Sequence, residues 1–239
     1  MYSLEEITEL LRKIARRYVL TSNTIRYLIE YRCIVSLLSK ARGPYEVLVD
    51  LGAGSGEMSA RLVERGFAKQ GLAVEPDAAN FKKLMSRYAK LKQCRCLNTS
   101  IESAALDPRS ADLILCTQVL EHIADDNAAV ARISELVAPR GIAVISVPHP
   151  PEIFPNPGHF RPGYTRESLT DLFQAHGFQF IDHDYFFVIS TLRRLVAAQE
   201  LGPVGQLFPM WWADREANLS TAEKAKEQPY GLAALFRKR

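Results

Sequence analysis

At 239 residues, the chain is long enough for one α/β domain with some additional segments and too short for several domains of ordinary size. A composition of 47% hydrophobic and 24% charged residues excludes a fibrous or disordered chain and is typical of a globular protein. A net charge of +3 is too small to indicate a nucleic-acid partner. No apolar run approaches the ~20 residues of a membrane span, and the start shows no signal-peptide pattern, so we expect a cytoplasmic protein.

The first part of the chain is predicted to be helical over residues 3–42. Ser3 followed by Glu6 is a capping-box pattern ahead of an apolar stripe at helical spacing. A second helix is predicted from about Thr24 to Lys40, before a Gly-Pro stop. We therefore expect an N-terminal helical cap over residues 1–43 and a main domain over residues 44–239.

From residue 46 onwards, short apolar segments alternate with helical ones. Strands are predicted at 47–51, 72–75, 94–99, 113–116, 142–147, 178–188 and 230–237. Helices are predicted at 57–64, 77–90, 126–137 and 166–175. Apolar strands separated by helices favour a doubly wound α/β fold with a mainly parallel seven-stranded sheet. The segment 190–228 is predicted to be a helical insert before the last strand.

The turn after the first of these strands is rich in glycine. Gly52, Gly54 and Gly56 allow a tight turn and a close approach of a ligand to the backbone. A dinucleotide-binding fold would carry a third glycine at position 57, where this chain has Glu57, and an acid there is a poor neighbour for a pyrophosphate. Asp50 suits a cationic amino group instead. The pattern favours a nucleoside with an attached charged amino acid over a dinucleotide.

Glu75 ends the second predicted strand, where a carboxylate can accept hydrogen bonds from ribose hydroxyls. The alternative is an acid that only caps the following helix. Asp77 is the better placed N-cap, which leaves Glu75 available to a ribose.

Four segments resemble one protein family in sequence and in order. They read V-L-V-D-L-G-A-G-S-G from Val47, A-V-E-P-D from Ala73, A-D-L-I-L-C-T-Q-V-L-E-H-I from Ala111 and G-I-A-V-I-S-V-P from Gly141. The chain resembles the class I S-adenosylmethionine-dependent methyltransferases, in particular the type 11 branch that acts on small molecules and glycans. The resemblance covers residues 47–148. It implies a Rossmann-like methyltransferase fold with S-adenosyl-L-methionine as the cofactor.

The resemblance also implies which residues contact the cofactor. The methionine half would be met by Asp50, Gly52, Ala53, Gly54 and Gly56, the ribose by Glu75, the adenine side by Pro76, Asp77, Ser100, Ile101 and Glu102, and the methionine moiety again by Cys116, Thr117 and Gln118. His122 would lie near the methyl group or pack beneath it. Ser100 occupies the position where the family often has an acid that binds the adenine amino group. Backbone N–H groups at 101–102 would then form the hydrogen bonds to the adenine.

Two histidines are candidates for substrate contact or for the general base. His149 follows the fifth strand, at the edge where open α/β sheets bind ligands. His159 lies in a distinctive proline- and glycine-rich loop and is the second candidate. The spacing of Cys and His residues shows no metal-ligand set, so we expect a metal-independent reaction.

The acceptor is predicted to be a small molecule, lipid or glycan. Nucleic acid is disfavoured, because the Asp/Asn-Pro-Pro-aromatic motif of DNA amino-methyltransferases is absent after the fourth strand. Tyr164, Trp211 and Trp212 are candidate substrate contacts, and the insert over 190–228 is a candidate lid. O-methylation is favoured over N-methylation.

Other interpretations stay open at this point. One is a methyltransferase-like protein that binds the cofactor without turnover, and a weaker one is a nicotinamide-dependent oxidoreductase. The sequence is compatible with a monomer or a homodimer.

Overall fold

The computed structural model describes residues 19–41, 43–152, 156–199 and 207–239. The chain divides into two compact units. The larger unit comprises Ile34–Asp184 and Tyr230–Arg239, and the smaller comprises Tyr185–Pro229 with the segment that ends at Cys33. The helix predicted to begin near Ser3 lies outside the described residues.

Strands and helices alternate through most of the described chain. The strands are β1 (Val19–Thr21), β2 (Tyr45–Leu51), β3 (Ala68–Val74), β4 (Cys94–Leu97), β5 (Ala111–Thr117), β6 (Val137–Pro148), β7 (Phe178–Val188), β8 (Leu207–Pro209) and β9 (Pro229–Lys238). The helices are α1 (Ser22–Leu38), α2 (Glu57–Glu64), α3 (Ala78–Tyr88), α4 (Asp126–Leu136), α5 (Arg166–Ala175), α6 (Ile189–Gln199), α7 (Trp211–Ala217) and α8 (Thr221–Lys226), with a 3-10 turn at Leu120–His122. Among these described helices, none has the length and apolar character needed to cross a membrane.

One sheet of seven strands organises the fold, in the order β4-β3-β2-β5-β6-β9-β7. The pairs β3–β4, β2–β3, β2–β5 and β5–β6 are parallel, and β6–β9 is antiparallel. The predicted doubly wound, mainly parallel seven-stranded sheet is confirmed. Parallel pairing brings the carboxyl ends of β2, β3, β5 and β6 to one edge of this sheet.

The two central strands are buried on both faces. Leu48 and Val49 of β2 and Leu113 and Ile114 of β5 are fully buried and lie opposite each other in register. Strands covered by helices on both sides lose the alternation of polar and apolar residues, which explains their continuously apolar sequences.

Three phenylalanines from different elements pack together beside α5. Phe173 of α5 stacks on Phe236 of β9 with ring centroids 4.4 Å apart, and Phe178 of β7 meets Phe173 at 5.3 Å. All three side chains are fully buried. The contact fixes α5 against the end of the sheet that contains the antiparallel strand.

Two strands begin four or five residues earlier than the sequence predicts. β3 begins at Ala68 rather than at residue 72, and β6 begins at Val137 rather than at residue 142. The added residues include the exposed side chains of Lys69 and Arg140. Polar residues of this kind interrupt the apolar pattern from which a buried strand is predicted.

The smaller unit contains a short antiparallel pair of strands. Leu20 of β1 lies opposite Phe208 of β8. The prediction of helix throughout residues 3–42 is therefore wrong at Val19–Thr21, because this segment pairs with a strand far along the chain that local periodicity cannot reveal. The helix that follows, α1, was predicted at 24–40 and spans Ser22–Leu38.

The insert predicted over 190–228 is mostly helical in its described part and also supplies β8. Within the smaller unit, Arg32 pairs with Asp214 at 2.6 Å. The buried carboxylate of Glu216 accepts the backbone N–H of Phe187, and burial raises its pKa. The smaller unit thus contains both the insert and the segment before Ile34. The sequence predicted them as two separate segments, an N-terminal cap at 1–43 and an insert at 190–228.

Substitution Phe173→Ala is expected to lower the free energy of unfolding by about 3–5 kcal/mol, because it leaves a cavity between α5 and the sheet. Phe160→Ala is the matched control, since Phe160 is 66% exposed. Its removal is expected to change the free energy of unfolding by less than about 0.5 kcal/mol. Denaturant unfolding followed by circular dichroism measures both. Equal losses in the two variants would contradict the aromatic packing described above.

Candidate active site

Three polar residues lie where neighbouring parallel strands end. Asp50 is the penultimate residue of β2, Glu75 directly follows β3, and Gln118 directly follows β5. Because β2 pairs in parallel with both β3 and β5, these ends meet at one edge of the sheet. Open α/β sheets bind their ligands at this edge, which makes it the candidate active site.

The loop after β2 turns on three glycines with positive φ angles. Gly52, Gly54 and Gly56 have φ values of 73°, 56° and 70°. A Cβ atom at Gly52 would overlap Val119, and one at Gly56 would overlap Leu84. A Cβ atom at Gly54 would meet nothing within 4 Å. Packing accounts for the outer two glycines, whereas Gly54 borders open space in which a ligand can approach the backbone.

Glu75 joins this loop to the start of α3. Its Oε2 accepts the N–H of Gly54 at 2.7 Å, and its Oε1 accepts the N–H of Asp77 at 2.9 Å. Asp77 itself accepts the N–H of Asn80 at 2.8 Å, which confirms it as the N-cap of α3. Although Asp77 caps α3, the carboxylate of Glu75 is also hydrogen-bonded within the protein and stabilises the loop. Its role in binding a ribose stays a prediction.

The start of α2 carries a negative charge that is paired within the protein. Glu57 lies 2.7 Å from Arg61 and 3.5 Å from Arg87. Arg87 also donates through Nε to the backbone oxygen of Ser55 at 2.9 Å. Glu57, the residue whose charge disfavours a bound pyrophosphate, is thus held by two arginines at the first turn of α2.

Two carboxylates flank the thiol of Cys116 in the interior. Asp50 and Glu121 are each 1% exposed, and Cys116 is fully buried. Burial raises the pKa of Cys116 well above its ordinary value, and the charges of Glu121 and Asp50 raise it further. The thiol therefore stays protonated, so Cys116 packs beside the site and does not act as a nucleophile.

Gln118 has the features of a ligand-binding residue. Its φ angle is 55°, an uncommon conformation for a residue other than glycine, and its backbone N–H donates to Ser146 at 2.8 Å. Its side-chain Nε2 is buried without a hydrogen-bond partner among the described residues. A buried donor left unpaired costs about 1–3 kcal/mol, so a ligand acceptor at this edge would be stabilising. Thr117 beside it is half-buried.

Asn98 supports the adenine side of the predicted site, although the sequence analysis missed it. Its Nδ2 donates to the backbone oxygens of Glu75 and Pro76 at 2.8 and 3.1 Å. A single amide in a loop has no pattern that distinguishes this role. Of the predicted adenine-side residues 100–102, Ile101 is buried and the other two are more accessible.

The structure brings together two histidines that are far apart in the sequence. The rings of His122 and His159 have centroids 4.5 Å apart and planes at 76°. His122 Nδ1 lies 3.0 Å from the backbone oxygen of Gly158, and His159 Nδ1 lies 2.6 Å from Oε1 of Glu152. In His122, Nδ1 faces an acceptor, so Nε2 is the nitrogen whose lone pair is available to another group. The contact of His159 with Glu152 is close but is not aligned as a hydrogen bond.

Arg161 holds the histidine loop in place and was also missed by the sequence analysis. Its guanidinium donates to the backbone oxygens of Leu120, Ile123 and Ala124 at 2.6, 2.7 and 2.9 Å. One planar side chain therefore satisfies three carbonyl groups around the 3-10 turn that carries His122. An arginine in a loop is indistinguishable from a solvated charge until these partners are known.

His149 directly follows β6 at the same edge of the sheet. Its backbone N–H donates to Tyr230 at 2.7 Å. Burial lowers the pKa of its half-buried imidazole below the ordinary value of 6.5. The neutral ring therefore predominates at pH 7, as a general base requires.

The predicted substrate contacts have different surroundings. Tyr164 is 5% exposed, and its hydroxyl donates to Asp126 at 2.8 Å. This bond anchors the loop, and the part of Tyr164 in substrate binding stays a prediction. In the smaller unit, Trp211 is 55% exposed and Trp212 packs on Phe208 with centroids 5.3 Å apart. Their part in substrate binding stays a prediction.

Comparison with known proteins identifies related sequences. A family model described as a methyltransferase domain matches residues 25–199. A ubiquinone biosynthesis O-methyltransferase from Saccharophagus degradans is 30% identical over 94 residues, covering 39% of this chain and 40% of the relative. The chain matches half or less of the length of such curated relatives.

Solved structures of similar fold extend over most of the chain. The N-methyltransferase NodS from Bradyrhizobium japonicum, in complex with S-adenosyl-L-homocysteine, aligns with a TM-score of 0.56 and 14% identity over 91% of this chain and 85% of NodS. The 4+2 cyclase SpnF aligns with a TM-score of 0.62 and 16% identity over 87% of this chain and 80% of SpnF. Identities this low establish the shared fold and leave the reaction open.

Substitution Gly54→Ala is expected to weaken binding of S-adenosylmethionine, the ligand implied by the motifs, by at least about tenfold (about 1.4 kcal/mol). The added Cβ would occupy the open space beside the loop. Gly66→Ala is the matched control, because Gly66 also has a positive φ, 75°, and a Cβ added there would meet nothing within 4 Å, but it follows α2. Isothermal titration measures both variants, and equal affinities would contradict a ligand at Gly54.

Proposed function

Because the chain belongs to the methyltransferase domain family, we propose that it transfers a methyl group from S-adenosylmethionine to a small-molecule acceptor. Family membership confirms the relationship predicted from the four motifs. The observation that carries the proposed activity is the open side of the glycine loop at Gly54, whose N–H is bound by the buried carboxylate of Glu75 and which follows the buried Asp50. When bound there, the cofactor supplies a methyl group that its sulfonium already activates.

The residues at this edge suit the parts of such a cofactor. The carboxylate of Asp50 would attract the ammonium group, and the buried Nε2 of Gln118 would donate to an acceptor such as the carboxylate. Glu75 would bind the ribose. Each of its oxygens accepts one loop N–H, which leaves further lone pairs for hydroxyl donors.

A hydroxyl group on a small molecule, lipid or glycan is the acceptor we favour. The relative from Saccharophagus degradans is named an O-methyltransferase and matches this chain over 94 residues. A hydroxyl must lose its proton as its oxygen attacks the methyl group. His149 is the first candidate base because its neutral ring follows β6 at the binding edge. His159 is the second, with its ring held by Glu152.

A second candidate function is cofactor binding without methyl transfer. SpnF shares this fold and is named a cyclase, so a protein of this fold can have a name other than methyltransferase. A nicotinamide-dependent oxidoreductase is disfavoured, because Glu57 occupies the position of the third glycine of a dinucleotide loop.

The test begins with isothermal titration of the purified chain with S-adenosylmethionine, S-adenosylhomocysteine and NADH. Micromolar binding of the first two, corresponding to about 8 kcal/mol, and none of NADH is expected. Transfer of a labelled methyl group to hydroxyl and amine acceptors then follows. Binding of NADH alone would refute the cofactor assignment. Cofactor binding without transfer to any acceptor class would favour the second candidate function.

The pH dependence of the reaction tests His149. Because burial lowers its pKa, the acid limb of kcat/KM is expected to have its midpoint below 6.5, and activity is lost as the pH falls through that midpoint. His149→Gln is expected to remove this limb and to lower kcat by about 10²- to 10⁴-fold. His176→Gln is the control, since His176 is the C-cap of α5. An unchanged limb in His149→Gln would exclude His149 as the base.

A further inference from the structure

Three side chains that could ligate a metal ion converge at the 3-10 turn of the larger unit. Glu121, His122 and His159 each present one ligand atom, and these atoms lie within 4.8 Å of one another. The spacing of Cys and His residues in the sequence shows no metal-ligand set, which favoured a metal-independent reaction, since His159 comes from a loop far along the chain. Only folding brings it beside the Glu-His pair.

Each imidazole has an oxygen close to its Nδ1 atom. Nδ1 of His122 lies 3.0 Å from the backbone oxygen of Gly158, an acceptor that can hold the proton on Nδ1 and leave the Nε2 lone pair for an ion. Nδ1 of His159 lies 2.6 Å from Oε1 of Glu152, in a contact that is not aligned as a hydrogen bond. A carboxylate beside a ligating imidazole is a frequent arrangement at metal sites.

From this arrangement we propose that Glu121, His122 and His159 bind a divalent transition-metal ion, with Glu152 as a positioning residue. A carboxylate oxygen and two imidazole nitrogens are a donor set suited to zinc and its first-row neighbours. Glu121 is 1% exposed, and the side chains of His159 and Glu152 are 6% and 8% exposed. His122 lies at the exposed side of the cluster, and a cation there would offset the cost of burying the carboxylates of Glu121 and Glu152.

The ligands are held by backbone contacts on both sides of the cluster. Phe160 donates its N–H to the backbone oxygen of Glu121 at 2.8 Å, which ties the loop to the turn next to two of the ligands. The N–H of His159 donates to Asn156 at 2.9 Å, and Arg161 bonds three carbonyls of the turn and its extension. Such support keeps the ligand atoms together before an ion binds.

The cluster adjoins the edge at which the cofactor is proposed to bind. Glu121 and His122 belong to the 3-10 turn Leu120–His122, which begins three residues after the end of β5 at Thr117, so the cluster follows the same strand end as Gln118. Three protein ligands leave coordination positions open, and an acceptor oxygen in one of them would be polarised by the ion. This consequence for the acceptor rests on the proposed function, whereas binding of the ion does not.

Titration of untagged, chelator-treated protein with cobalt(II), followed by visible absorption, tests the site, with zinc(II) competition as a second readout. One ion per chain is expected. His122→Ala is expected to weaken binding at least about tenfold and to leave the fold intact, because His122 is exposed. Glu152→Ala is expected to weaken binding by about 10- to 100-fold through the orientation of His159. His176→Ala, outside the cluster, is the control and should bind as the unaltered protein does.

Three outcomes would overturn the proposal: neither ion binds to the unaltered protein, binding is unchanged in His122→Ala, or the spectrum shows a thiolate-to-cobalt band that places the ion on cysteine. Titration with S-adenosylmethionine is done on the same samples. Cofactor binding without metal binding would reject this inference alone, and metal binding without cofactor binding would reject the proposed function alone.

Discussion

The carboxylate of Glu75 joins the glycine loop to the start of α3, and the geometry of the candidate site depends on it. The backbone oxygen of Val74 in β3 holds the same loop by accepting the N–H groups of Gly52 and Ala53, each at 2.9 Å. The carboxylate of Glu75 accepts one N–H from the loop after β2 and one from the start of α3, at 2.7 and 2.9 Å. Because Glu75 is 6% exposed, water competes little for these bonds. The open side of the loop at Gly54 and the first turn of α3 are therefore positioned by the same side chain.

Features that depend on neighbouring residues could be predicted from the sequence. The bounds of α2 and α5 agree with the predicted 57–64 and 166–175, since a glycine turn precedes the first helix and a capping threonine precedes the second. The strands β2 and β5 could also be predicted, because helices cover both faces of the sheet and the two strands are therefore continuously apolar. The cap at Asp77 follows from the same local chemistry.

Features that depend on distant residues could not be predicted. Arg161 resembles any surface arginine until its three carbonyl partners are brought beside it, and His122 and His159 have no sequence spacing that indicates a pair. The β1–β8 pairing escaped prediction for the same reason. In each case the deciding contact joins segments that are well separated along the chain, and periodicity carries no information about it.

The protonated state of Cys116 has a consequence for chemical selectivity. A sulfonium methyl group reacts with any strong nucleophile nearby, and a thiolate is among the strongest that a protein offers. Burial, together with the charges of Glu121 and Asp50, keeps this sulfur in the unreactive thiol form. Burial and these two acids thereby also protect the protein from alkylating itself, so that a methyl group held at the proposed cofactor edge is reserved for an external acceptor.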